Sequence, residues 1–189
     1  CATSGPETLR VIHLPLYATK VDSVRARLDL AAENGFNVVI LAFSDGVRFS
    51  TYPAKVRKDA WDVSDLQGVI AYAKKKGFLV VPEIKFTTHQ EKFLKVGNAD
   101  LMFNSVTANP ISERVRAIQL AHINEVIEVV GAHAIHIGHD EVAGFSKASR
   151  KKWLESDEPT LPAELFEESV KWLHKELTTR GIEVWMWGD

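Results

Sequence analysis

The chain has 189 residues, 46% hydrophobic and 25% charged, with a formal net charge of -2 and both signs spread along its length. That suits one globular domain with a buried core and excludes a nucleic-acid groove, which needs a basic stripe. No apolar run reaches the roughly 18 residues of a membrane helix, and a single cysteine, Cys1, rules out an internal disulfide.

Residues 1–8 read as a tether. A cysteine at its head fits a lipid anchor, which would place the protein in the periplasm, outside the cell or at a membrane surface; a chance cut site is the plain alternative. From residue 9 to 189 one pattern repeats. A first strand, Leu9 to Tyr17, leads to a helix whose apolar stripe is Val24, Leu28, Ala31 and Ala32, with Asp22 or Ser23 as its cap. Gly35 stops that helix and the apolar run Phe36 to Leu41 follows at once. A second helix carries Leu66, Val69, Ile70 and Ala73 behind Ser64 as cap, stops at Gly77, and releases Phe78 to Val81. A third begins near Pro110, carries Val115, Ile118, Ala121, His122, Val126 and Val129, and stops at Gly131 before a strand around Ala134 to Ile137. The last opens with Pro162 in its first turn, carries Leu165, Val170, Leu173 and Leu177, and stops at Gly181 before Ile182 to Trp187. The basic runs at Lys74 to Lys76 and Arg150 to Lys152 sit near helix ends and read as solvated charge.

Near-continuous apolar strands alternating with helices define an α/β protein with a parallel sheet. The turn after Tyr17 has no glycine fingerprint, which disfavours a dinucleotide fold. Turns entering strands are short. Segments leaving them are long: 44–62, 85–109 and 139–161. That asymmetry fits a (β/α)8 barrel, which builds its site from the loops at the carboxyl ends of its strands. About five of eight β/α units are expected here, in a piece of a longer barrel whose open edges invite self-association.

Chemistry-bearing residues gather at those ends: Asp45 after the second strand, Glu83, Lys85 and His89 after the third, His136, His139, Asp140 and Glu141 after the fourth, Trp187 and Asp189 after the fifth. A carboxyl pair at one mouth suits acid/base work on a glycosidic bond, with one member protonated and one ionised. Adjacent carboxylates repel, so one of Asp140 and Glu141 is expected to hold its proton more tightly. Gly138 is expected to allow a close backbone approach.

His136-Ile137-Gly138-His139-Asp140-Glu141 resembles the His-x-Gly-Gly-Asp-Glu signature of the family-20 glycoside hydrolases, the β-N-acetylhexosaminidases. Pro82-Glu83-Ile84 with His89 resembles that family's Pro-Glu-x-Asp-x-Pro-Gly-His motif, and Phe36 to Ile40 leading to Asp45 is similar to its second strand. The resemblance spans most of residues 36–141. It implies a barrel acting on terminal N-acetylhexosaminides by a substrate-assisted retaining mechanism, with no cofactor and no metal. Asp140 would orient the substrate's acetamido group and Glu141 would be general acid and then base. Asp45, Glu83, His89, His136 and Trp187 would bind the substrate; Asp45 and His89 would also support the acid's proton balance, and Trp187, with Trp185, would wall the sugar. The sequence departs from the pattern at His139, where the family has its second glycine, at Lys85, which replaces an aspartate, and at Thr87-Thr88, which replace Pro-Gly. The first strand lacks the family's substrate-binding arginine. A non-catalytic carbohydrate-binding or structural remnant of the barrel therefore stays open as an alternative. A metal hydrolase using His133, His136, His139, Asp140 and Glu141 is the lesser one; strand alternation should turn His133 and His136 to opposite faces.

Overall fold

A computed structural model describes residues 8–51, 56–90, 94, 98–142 and 158–188. Cys1, Arg150 to Lys152 and Asp189 lie outside the described residues. The elements run β1 (Val11–Pro15), α1 (Val21–Glu33), β2 (Val38–Ala42), α2 (Val63–Lys75), β3 (Leu79–Glu83), a 3-10 turn (Ala99–Leu101), α3 (Glu113–Val130), β4 (Ala134–His136), α4 (Ala163–Thr178) and β5 (Glu183–Trp185). The strands form one parallel sheet in the order β1-β2-β3-β4-β5. A doubly wound sheet reverses its order at a switch point; this one never does.

The helices tell the same story. Val24 and Leu28 of α1, Leu66 and Val69 of α2, Ile123 and Val126 of α3, and Leu173 and Leu177 of α4 share one core cluster. Their strand partners are Leu14, Val39, Leu41, Val80 and Ile135, which all point to one face of the sheet by the two-residue alternation of strands. All four helices therefore cover the same face, as the outer ring of a barrel does. Each fully buried Leu or Val on that face contributes about 1.5–3 kcal/mol. The opposite face carries a smaller cluster of Val38, Ile40, Val81 and Ala134, with Trp185 packed against it. Register aligns Pro15, Ala42, Glu83, His136 and Trp185 in one row across that inner face, at the carboxyl end of the sheet.

Several local expectations are corrected. α1 is capped by the backbone of Lys20 without a side-chain bond, and Asp22 lies in its first turn, where a carboxylate favours the helix dipole. Asp62, not Ser64, caps α2, in a reciprocal box with Asp65; the helix starts at Val63, so Ser64 is already inside it. Ser112 caps α3 and Pro162 stands at the N-cap of α4 rather than inside its first turn. On α3, Ala121 faces solvent and Gln119 faces inward, where its amide donates to the Phe86 carbonyl at 2.7 Å. Satisfying that buried amide lets a polar residue hold a core position.

Backbone strain is distributed by loop type. Among the described residues, the non-glycine residues with positive φ are Ala18, Ser44, His89, His139 and Glu141, and all lie in loops leaving strands. The turns entering strands put Gly35, Gly77, Gly131 and Gly181 in the same conformation. A left-handed residue with a Cβ costs roughly 1–2 kcal/mol, so the strain is concentrated at the mouth. No helix among the described residues is long and apolar enough to cross a membrane.

Candidate active site

β3 and β4 deliver most of the site. Glu83 ends β3 with its side chain 1% exposed, and its carboxylate is the hub of the inner face. His13 of β1 donates from Nε2 to Glu83 Oε2; Trp187 Nε1 donates to Oε1 at 3.4 Å, and Lys85 Nζ lies 3.5 Å from Oε1. Burial alone would raise this carboxyl; the bond from His13 and the charge of Lys85 overcome it and hold it below the ordinary value. The Trp187 ring packs 4.5 Å from His136 and edge-on to His13 at 5.5 Å. His136 is buried, and its Nδ1 accepts from the Gly138 amide at 3.1 Å, which leaves the ring proton on Nε2. Burial lowers its proton affinity, partly countered by Glu83.

Past β4 the chain turns through Gly138 at φ +73°, His139 at +68° and Glu141 at +51°. A Cβ at Gly138 would meet Lys85 only at an ordinary 3.5 Å, so this glycine is needed for its φ and not for a close approach. His139 occupies its left-handed conformation because its ring is fully engaged. It is 1% exposed, its Nδ1 donates to the Ile137 carbonyl at 3.1 Å, and its Nε2 accepts from the Thr87 hydroxyl at 2.8 Å. Ser169 Oγ of α4 lies 3.1 Å from the same nitrogen and 3.0 Å from Thr87 Oγ1. Burial lowers the His139 pKa to about 4, so the ring is neutral.

That turn presents the adjacent carboxylates. Asp140 Oδ2 receives Lys85 Nζ at 2.6 Å, and its Oδ1 accepts from Thr88 Oγ1 at 3.4 Å. His89 Nε2, at φ +56°, stands between the pair, 3.5 Å from Asp140 Oδ2 and 3.3 Å from Glu141 Oε2. The expected rise in one carboxyl is reversed at Asp140. Burial would raise it, but the bonds from His89 and Lys85 and the Lys85 charge hold it well below the usual carboxylate range. Asp140 is 16% exposed and Glu141 46%, so Glu141 has the freer approach from solvent.

The structure thus brings Glu83, His89, His136, Asp140, Glu141 and Trp187 to one mouth. Asp45 is buried in the loop after β2, where its carbonyl accepts from the Arg57 amide at 3.1 Å and its charge bears on Arg57. Trp185 packs against the inner apolar cluster, deeper than Trp187. Sequence reasoning missed His13; its place on the inner face of β1, two residues before the aligned row, was the available signal. His133 is exposed just before β4 and His136 is buried at its end, so the two do not share a site. His89, Asp140 and Glu141 bring three potential ligand atoms within 4.8 Å of one another, but the Lys85 ammonium already holds the Asp140 oxygen.

A sequential parallel sheet ringed by helices on one face, with adjacent carboxylates at a strand-four mouth, defines a barrel of the glycoside-hydrolase class. The chain belongs to glycosyl hydrolase family 20: the model of that family's catalytic domain matches residues 27–189. It is 29% identical over 144 residues to the beta-hexosaminidase subunit beta of Felis catus, covering 65% of this chain and 27% of that protein. The Flavobacterium johnsoniae chitobiase superposes with a TM-score of 0.74 at 18% identity, over 95% of this chain and 31% of that one. The Bacteroides fragilis beta-N-acetylhexosaminidase gives 0.74 at 18% identity, over 96% and 41%. These likenesses establish the barrel fold. The chain spans well under two thirds of the length of each.

Proposed function

We propose that this family-20 barrel cleaves terminal N-acetylhexosamine residues with retention, using the substrate's own acetamido group as nucleophile. The observation that supports this most is the division of labour within the strand-four pair: an ionised, well-held Asp140 beside a more exposed Glu141, with His89 within reach of both. In this reading the 2-acetamido oxygen attacks the anomeric carbon as the glycosidic C–O bond breaks. Asp140 accepts the acetamido N–H and stabilises the positive charge that forms on the resulting ring. Glu141 gives its proton to the departing oxygen. As a carboxylate it then takes a proton from the water that reopens that ring. His89 tempers the negative charge Glu141 acquires, and Asp45 adds to the charge balance from the β2 loop. The Trp187 ring, backed by His13 and His136, offers an aromatic wall to the apolar face of a sugar.

The likeness to a beta-hexosaminidase and to a beta-N-acetylhexosaminidase supports the same substrate class. One observation favours the second reading, a carbohydrate-binding barrel without turnover: β1 carries His13, engaged with Glu83, and no arginine. Assaying the full-length protein on an aryl N-acetyl-β-glucosaminide separates the two. Turnover is expected, and Glu141→Gln should lower it by about 10²–10⁴-fold, the usual share of a general acid. An unchanged rate in that variant would remove Glu141 from the mechanism. Binding of a thiazoline mimic without any turnover would favour the non-catalytic reading.

A further inference from the structure

The strand-three loop grips Asp140 with two donors. Glu83 and Lys85 share the inner face of β3 and its extension. Lys85 Nζ sits 2.6 Å from Asp140 Oδ2 and 3.5 Å from Glu83 Oε1, and the Thr88 hydroxyl reaches the other Asp140 oxygen at 3.4 Å. The loop carrying both donors is braced from behind. Gln90 is buried, and its amide donates to the Lys85 carbonyl and, at 2.9 Å, to that of Thr88. Lys85 is therefore held at its backbone and at its ammonium, between two carboxylates.

We infer that Lys85 is a positioning residue: it clamps Asp140 in one orientation beside Glu141 and keeps it anionic. An aspartate at this place, as the family pattern has, would do neither by an ion pair. Lys85 is not read as a sugar ligand, because its ammonium is committed to Asp140 and Glu83. Nor is its main effect stability, since a partly buried ion pair largely offsets its own desolvation. Asp140 faces Lys85, Thr88 and His89 from the strand-three loop, His136 from β4, and His139 and Glu141 from its own turn. Of these, Lys85 alone carries a permanent positive charge.

The inference rests on the proposed role of Asp140 only for its kinetic consequence. In the full-length protein, the Asp140 carboxyl is followed by carbon NMR, assigned by its loss in Asp140→Asn. Lys85→Met should raise its titration midpoint by about one to three pH units, and Lys85→Arg should leave it low. The acid limb of kcat/KM should move up with it in Lys85→Met. A midpoint that does not move in Lys85→Met, or that moves as far in Lys85→Arg, overturns the inference. Should Lys85→Met fail to fold, Lys85→Gln takes its place, and an Asp140 midpoint that does not rise in that variant overturns the inference. An inactive wild type with the NMR shift intact would sink the hydrolase reading alone; an active enzyme with an unmoved carboxyl would sink the clamp alone.

Discussion

His139 holds a left-handed backbone at a site where the family pattern has glycine, and its ring explains how. Both ring nitrogens are bonded inside the protein, to the Ile137 carbonyl and to the Thr87 hydroxyl, with Ser169 of α4 beside them. The bonds offset a strain of roughly 1–2 kcal/mol and tie the carboxylate turn to α4. They also make the fold sensitive to acid. Burial lowers the pKa of His139 to about 4, and that of His122, packed on Phe49 and bonded to Thr51, to about 4 as well. The unfolded chain takes up these protons near pH 6.5, before the folded one does. Stability from the neutral rings is therefore fully present above about pH 6.5 and lost as pH falls toward 4, up to about 3 kcal/mol for each ring. Denaturant midpoints measured from pH 7 to pH 4 should fall, and His139→Gln with His122→Gln should flatten that fall. An equal fall in the double variant would refute the assignment.

At the scale of elements, the sequence announced the helices and strands because their signals are local. An apolar stripe at helical spacing followed by glycine needs no tertiary context, and Gly35, Gly77, Gly131 and Gly181 all take positive φ at helix ends. The caps were harder. Asp22, Ser23 and Ser64 are all fit capping residues, and the choice depends on where the chain leaves the sheet, which neighbouring packing sets. The long loops were harder still. Gly46, not singled out in the sequence, lies where the β2 loop crosses the exit of β1; a Cβ there would meet the Tyr17 backbone nitrogen at 2.8 Å. Gly46→Ala must move backbone, so a loss of about 1–3 kcal/mol in thermal or denaturant unfolding is expected. A neutral result would mean that the two loops part easily. The clamp itself was illegible. Lys85 and Asp140 are 55 positions apart, and only the β3–β4 register, which aligns Glu83 with His136, puts them at one height.

For the whole molecule, the sheet order and the one-sided ring of helices make a five-stranded part of a β/α barrel, and the aligned row Glu83, His136 and Trp185 sets the floor of its mouth. On that floor the site has two halves of different character. The half toward β4 carries the carboxylate pair, Asp140 held by Lys85 and Glu141 more exposed. The half toward β1 carries the buried Glu83 bonded to His13, with no arginine in β1. In the proposed mechanism the first half does the work: a held, ionised Asp140 directs the substrate's own acetamido oxygen. The decisive comparison is kcat/KM of the full-length protein on two aryl β-glycosides with one leaving group, one bearing a 2-acetamido and the other a 2-hydroxyl substituent. Turnover of the acetamido substrate is expected, with a rate lower by orders of magnitude for the hydroxyl one, which has no internal nucleophile. Comparable rates on the two would rule out the acetamido group as nucleophile.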